Sequence, residues 1–225
     1  MEKDKFFVIS FGGSVIVPGE INTELLKRFC FLIKNFVKKG KKFIIIAGGG
    51  KTSRKYQEAI FFASEEEKDW IGIKATELNS LLLRAFLKRE ADTVLLNERL
   101  KVKRFRRPVI IGSGWRPGWS TDYVAARTAL DFGVKRVINL GSSDYVYNKD
   151  FEKDKLAEPM HAISWKDYLN LIPKTWKPGI HAPVDPVAAR LAEKNKMEFL
   201  VASGQNLQNF KNMLLGRRFE GTVIS

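Results

Sequence analysis

Apolar positions follow two rhythms along this chain. Short unbroken runs at 6–11, 43–46, 109–111, 137–140 and 199–202 read as strands buried on both faces, with a shorter one at 93–96. Between them, apolar residues recur every third or fourth position, the spacing of a helix with one buried face. Asn22 or Thr23 caps a helix to about residue 39, with Leu25, Leu26, Phe29, Ile33, Phe36 and Val37 on its apolar side and Gly40 ending it. A helix is predicted over about 52–63, capped by Thr52 or Ser53 and stopping before Glu65, Glu66 and Glu67. Another is predicted over about 74–89, burying Leu78, Leu81, Leu82, Ala85 and Phe86. Ser120 or Thr121 opens a helix to about 132, Asp185-Pro186 one to about 194, and Asn206 one closed by Gly216. Residues 145–184 are less regular, rich in Lys, Pro and Trp, and read as an excursion over the site; 222–224 adds an edge strand.

Strands alternating with helices predict an α/β protein whose largely parallel sheet is covered on both faces. Five predicted strands run directly into Gly or Ser, at 12–14, 48–50, 112–114, 141–143 and 203–204. Open α/β sheets bind ligands at the carboxyl ends of their strands, so five such loops on one edge point to a nucleotide or phosphate. The stretch FIIIAGGGKTSRKY (43–56) is the strongest instance. Its glycines allow close backbone approach, and a helix start with Lys51, Arg54 and Lys55 favours an anion. A plain tight turn is the alternative. A Walker A loop is excluded, because the spacing requires glycine where Ile45 stands. A dinucleotide fingerprint at Gly112-Ser113-Gly114 fails equally, since its third glycine falls on Pro117.

With 225 residues, 44% apolar and 28% charged, and neither linker nor repeat, the chain reads as one domain spanning 1–225. The first residues lack a signal-peptide core, and no apolar run is long enough to cross a membrane, so a cytoplasmic location is expected. Cys30 is the single cysteine and falls on a helix's apolar face. His161 and His181 are the two histidines, and no Cys, His or carboxylate cluster has metal-ligand spacing. The net charge of +14 fits either an anionic partner or mere solubility. Within the run 101–107, Lys101, Lys103, Arg104, Arg106 and Arg107 with interleaved Phe105 could contact nucleic acid, form a solvated lobe, or steer nucleotides.

Arg54 lies one helical turn beyond the glycines, which returns it to the same edge, whereas Lys51 could equally be solvated. Arg116 sits in a Pro-Gly turn between Trp115 and Trp119 and reads as a phosphate clamp or as an exposed arginine stacked on tryptophan. Asp144 is a turn residue or orients a metal-bound phosphate, and Tyr147 is a base contact or a core tyrosine. Asp122 reads as a first-turn acid that satisfies the helix dipole.

Seven stretches taken in order resemble the amino-acid kinase family, and within it the archaeal-type uridylate (UMP) kinases. They are FGGSVIVP (11–18), AGGGKTSRKY (47–56), DWIGIKATELNSLLL (69–83), RPGWSTDYVAA (116–126), DYVYNKD (144–150), DPVAARLA (185–192) and GTVI (221–224). The resemblance implies a three-layer αβα, carbamate kinase-like fold with an N-terminal phosphate-acceptor lobe and a C-terminal ATP lobe. It implies transfer of the γ-phosphoryl of ATP to UMP with Mg²⁺, in a homohexamer. By the same resemblance Ser10, Phe11, Gly12, Gly13 and Ser14 contact the ATP phosphates, joined by Gly50 and Arg54, with Gly141, Asp144, Tyr147 and Asp150 around the adenosine. Gly49, Asp69 and the loop Trp115, Arg116, Pro117, Gly118, Trp119, Ser120 and Thr121 face UMP, with Arg54, Lys51 and Ser14 closest to the chemistry. The chain departs from the family pattern in having Ser10 where many members carry lysine, Gly141-Ser142-Ser143-Asp144 for the usual Thr-Asn-Val-Asp, and Asp150-Phe151 for Asp-Pro. A nucleoside monophosphate needs no general base, because its second pKa near ~6 leaves a dianion at neutral pH. Alternatives are a kinase of this fold acting on CMP or isopentenyl phosphate, and a non-catalytic nucleotide- or RNA-binding protein.

Overall fold

The computed structural model describes residues 6–149, 154, 156–175 and 182–225. The chain opens with β1 (Phe6–Phe11), a single helical turn α1 (Gly13–Ile16), α2 (Thr23–Val37) and β2 (Lys42–Ala47). A helical hairpin of α3 (Gly50–Ala59) and α4 (Glu65–Leu87) leads to β3 (Val109–Gly112), α5 (Thr121–Asp131) and β4 (Arg136–Gly141). Then come β5 (Val146–Tyr147), β6 (Pro159–Met160), β7 (Ala162–Ile163), α6 (Trp165–Leu171), α7 (Pro186–Lys194), β8 (Glu198–Ser203), α8 (Leu207–Leu214) and β9 (Thr222–Ile224).

Seven strands form one sheet in the order β3-β2-β1-β4-β8-β9-β7, while β5 and β6 pair as a small separate ribbon. From β3 to β8 every pairing is parallel; β9 runs antiparallel to β8 and parallel to β7. Because side chains alternate across a strand, the central strands feed two cores. Phe7, Ile9 and Phe11 of β1 pack on one side against α2 and α8, with Phe11, Phe29 and Phe210 stacked in sequence. Val8 with Ile44 and Ile46 of β2 faces α5, α6 and α7 on the other side. Helices therefore cover both faces, the three-layer αβα architecture expected.

Predicted caps hold for α2, α5, α7 and α8, where Asn22, Ser120, Asp185 and Asn206 accept from backbone N–H groups of the first turn. Cys30 is buried in α2, and burial pushes its thiol up to about 12. Six expectations change. α3 starts at Gly50 behind Gly49, so Thr52 and Ser53 lie inside the helix instead of capping it. α4 starts at Glu65, nine residues earlier than periodicity suggests, because Ser64 and Glu67 form a reciprocal capping box. Its buried face is Ile73, Ala75, Thr76, Asn79, Ser80, Leu83 and Leu87, leaving Leu78 60% and Leu81 40% exposed. The strand expected at 93–96 is absent: Ala91 and Leu96 make isolated bridges to β3, and the Asp92 carboxylate accepts from Val94 N at 3.0 Å, turning the chain between them. β9 is interior to the sheet, and the segment expected to arch over the site instead supplies β7 at its far edge and α6 beneath. There Trp165 and Tyr168 are buried and the Tyr168 hydroxyl donates to Val184 O at 2.6 Å.

Candidate functional site

Parallel strands place the loops after β1, β2, β3, β4 and β8 on one edge of the sheet. There the first two glycine loops interlock. A Cβ on Gly13 would lie 2.0 Å from Gly50 N, and one on Gly48 would lie 2.3 Å from Gly13 N. Gly50 has φ +66° and would bring a Cβ within 2.3 Å of Gly13 O, so only glycine fits this contact. Backbone hydrogen bonds from Gly12 N to Leu140 O (2.8 Å) and from Gly48 N to Phe11 O (2.9 Å) hold both loops to the sheet. Of the first N–H groups of α3, that of Lys51 donates to Val17 O at 2.9 Å, which leaves those of Gly50 and Thr52 without a carbonyl of their own helix and able to serve as anion donors at this edge.

The buried polar face of α4 fixes the neighbouring loops. Asn79 Nδ2 donates to Gly48 O at 2.7 Å and Gly49 O at 3.2 Å. Thr76 Oγ1 accepts from Gly114 N at 2.8 Å, and Ser80 Oγ sits 2.8 Å from both Thr76 O and Gly112 O. These three residues explain why Leu78 and Leu81 face outward: beside the site, the helix spends its buried face on backbone carbonyls and amides. Sequence periodicity misses them because it scores polar positions as exposed, although "TELNS" preceding three leucines was the available signal.

A cleft of about 220 Å³ opens between the glycine turn, α4 and the loop before α5. Its lining joins Gly49, Gly50, Arg54, Asp69, Arg116, Trp119, Ser120 and Thr121 of the predicted set with Ser53, Gln57, Gly72, Ile73, Thr76 and Gly114. Asp69 accepts from Gly118 N at 2.7 Å, tying α4 to the 115–121 loop, and its carboxyl is raised chiefly by burial. The Arg116 guanidinium lies 4.7 Å over the Trp119 ring, so the arginine both stacks and lines the cleft. Arg54 enters the cleft and, among the described residues, makes no salt bridge, whereas Lys51 Nζ lies 3.9 Å from Glu58 Oε1 and does not line it.

Several predicted residues lie elsewhere. The Phe11 side chain is core, stacked 4.2 Å from Phe29, so it offers the edge only its backbone. Trp115 is buried with its indole N–H donating to Leu96 O at 3.1 Å. Ser14 lies in α1 beside the interlock, Pro117 and Gly118 form the turn outside the cleft, and Gly141 ends β4 and accepts from Gly204 N at 2.9 Å. Asp144 is exposed, Tyr147 is half-buried in β5, and Asp150 and His181 lie outside the described residues.

Asp122 lies in the first turn of α5, as expected, but its carboxylate is held by other elements. Its Oδ1 accepts from Ser10 Oγ at 2.7 Å and Asn139 Nδ2 at 3.0 Å, and the Asp185 backbone N–H also reaches the carboxylate. Asn139 donates further to Pro183 O at 2.9 Å, and Asp185 accepts from Ser120 Oγ while capping α7. Burial, then the neighbouring Asp185 charge, pushes the Asp122 carboxyl up to about 7, and burial raises Asp185 as well. Ser10 is thus committed to a carboxylate at the head of the first glycine loop. Among the described residues, no group of three or more His, Cys, Asp or Glu could hold a metal ion. No helix of the described residues is long and apolar enough to cross a membrane.

The sequence pattern of the amino acid kinase family matches residues 5–203. A uridylate kinase of Methanocorpusculum labreanum is 31% identical over 222 residues, covering 96% of this chain and 94% of that protein. One of Thermoplasma volcanium is 33% identical over 216 residues, covering 93% of each. The crystal structure of uridylate kinase from Archaeoglobus fulgidus superposes with a TM-score of 0.80 at 26% identity, covering 99% of this chain and 100% of that one.

Proposed function

The chain belongs to the amino acid kinase family, and on that premise we propose that it is a UMP kinase, transferring the γ-phosphoryl of Mg·ATP to UMP to give UDP and ADP. The observation that carries this reading is one cleft lined jointly by the second glycine loop, Arg54, Asp69 and the 116–121 loop. Full-length similarity to uridylate kinases supports the acceptor.

In this reading UMP occupies the cleft, with Gly49 and Thr121 near its phosphate and Asp69 near its ribose. Asp69 and the Gly118 amide already hold one another, so the nucleotide enters a preformed wall. ATP lies along the first glycine loop on the Gly12–Gly13 side of the interlock, towards Gly141. The UMP phosphate, a dianion at neutral pH, attacks in line without a base. Backbone N–H groups of the glycine loops, the α3 N-terminus and Arg54 meet the charge that develops on the transferring group, and Mg²⁺ enters with ATP to screen its phosphates. Asp122 positions Ser10 and the first loop. The acceptor lobe then comprises β1 to β3 with α3 and α4, and the ATP lobe β4 onward.

ADP release from Mg·ATP, with UMP, CMP, AMP and isopentenyl phosphate offered in turn, tests the proposal. UMP is expected to give the highest kcat/KM, and preference for CMP or isopentenyl phosphate would sink it. In the same assay Arg54→Ala is expected to lower kcat by roughly 10²–10³-fold, the usual cost of removing one donor to developing charge. Unchanged kinetics would take Arg54 out of the mechanism.

We further propose that the chain assembles as a homohexamer. Trp70, Leu78 and Leu81 share an exposed stripe of α4, and Phe61 and Phe62 are exposed at the hairpin tip, an apolar surface that a second copy would cover. Light scattering should report a hexamer, and Leu78→Lys should shift it to smaller species; a monomeric parent would refute the assembly.

A further inference from the structure

The chain's positive charge is gathered on the sheet edge opposite the cleft. Segments 34–42, 88–107 and 127–136 hold sixteen Lys and Arg against four Asp and Glu, which is +12 of the chain's +14 in 39 residues. These are the C-terminal ends of α2, α4 and α5 and the entries to β2, β3 and β4, so parallel topology brings them together. Side chains join them directly. Phe105 packs edge-on against Phe6 and Phe132 at 5.4 and 5.7 Å, with Lys42 Nζ 5.3 Å above its ring. Arg99 is bidentate on Asp131, and Lys34 lies 4.0 Å from Glu90. Lys38, Lys88, Arg89, Lys103, Arg104 and Arg106 are exposed and, among the described residues, enter no salt bridge.

This edge does not steer nucleotides to the cleft. Six-residue strands span about 20 Å, well beyond the ~8 Å Debye length of physiological salt. Concentrating like charge destabilises a folded chain, so such a face calls for an anionic partner. We propose that this edge binds the phosphate backbone of duplex DNA. Phe105 is packed and roofed by Lys42, so no aromatic platform is offered for stacking single-stranded bases. Leu100 is the one large apolar side chain exposed within the three segments among the described residues, too little to insert into a bilayer. Neutral side chains that would read 2′-hydroxyls are few: Thr128 is buried, Asn97 is held by Glu77 and Lys101, Asn35 is half-buried, and Thr93 alone is exposed. Charge dominates the face, which suits regularly spaced phosphates bound without sequence preference.

Anisotropy of a labelled duplex of about 24 base pairs, titrated with the full chain across salt, tests this, the duplex offering phosphates along its whole length. Affinity is expected in the micromolar range and to fall linearly with log salt. The triple change Lys103→Ala, Arg104→Ala and Arg106→Ala should weaken binding at least about tenfold and reduce the slope by about 3, near 0.9 for each phosphate no longer neutralised. Its melting temperature and UMP-dependent ADP release should stay those of the parent. The pair Lys38→Ala and Lys88→Ala should weaken binding from the other segments. Salt-independent binding, or unchanged binding by both variants, would overturn the proposal. So would equal or tighter binding to an RNA duplex of the same length, or to phosphatidylglycerol vesicles. The proposal does not rest on the kinase reading, since each assay can fail alone.

Discussion

Gly13→Ala is expected to abolish most phosphoryl transfer, lowering kcat at least about 10²-fold, the cost of a displacement near 1 Å at a reacting centre. A methyl group there would sit 2.0 Å from Gly50 N and 2.6 Å from Gly49 N, where ordinary contact begins near 3.4 Å. All three nearest atoms are backbone, so no side chain can swing aside and the loops must separate. That separation pulls apart the N–H groups proposed to align ATP and UMP. Gly19→Ala is the matched control: Gly19 is exposed, with nothing within 4 Å of an added Cβ. It should leave kcat unchanged and stability within about 1 kcal/mol, since loss of unfolded-chain freedom is the one remaining effect. Steady-state kinetics with melting curves on both variants checks this. Gly13→Ala with parental kcat would dissolve the interlock's role.

The interlock also shows what a sequence can disclose. That glycines follow β1 and β2 was plain, and parallel topology put both turns on one edge. That the two turns touch was not, because their backbones meet only through the register of Phe11 with Ala47. The same limit applies to α4. Helical periodicity assumes that burial means apolar, yet Thr76, Asn79 and Ser80 are buried because loops from β2 and β3 take their hydrogen bonds. Leu78 and Leu81 consequently face outward, opposite to the pattern's expectation. Arg54 was legible because one helical turn is a local rule. Trp115 and Phe11 lie next to the glycine loops in sequence, but their side chains turn into the cores. Asp122 was legible only as a residue of a helix's first turn. Its partners lie 112 residues away at Ser10 and 17 away at Asn139, separations that no local rule spans.

Asp122→Asn should make the protein more stable relative to the parent as pH rises, while costing activity. A carboxyl raised from 3.8 to about 7 on folding is protonated in the native state and ionised in the unfolded chain between those values. The native state then binds more protons, so parental stability falls as pH climbs from about 4 to 7 and levels off above. The Asn variant lacks this loss. The stability difference between variant and parent should therefore move by about 2–4 kcal/mol in favour of the variant across that window, after allowance for the partial exposure of the residue. Any fixed cost, such as the amide facing the Asp185 N–H, displaces both ends equally and leaves the pH slope intact. Facing groups do not reverse the sign: Asp185 adds negative charge, while Ser10 and Asn139 only donate hydrogen bonds. A site keeps so costly a charge where function requires it. Turnover should fall about tenfold or more as Ser10 and the first glycine loop lose their anchor. The parent's rise in kcat through pH 7 should vanish, leaving only the limb near ~6 that belongs to the UMP phosphate. Urea melts at pH 4, 5.5, 7 and 8 with parallel pH–rate profiles decide it. Parallel stability curves, or a surviving limb at pH 7 in the variant, would show that Asp122 does not titrate there.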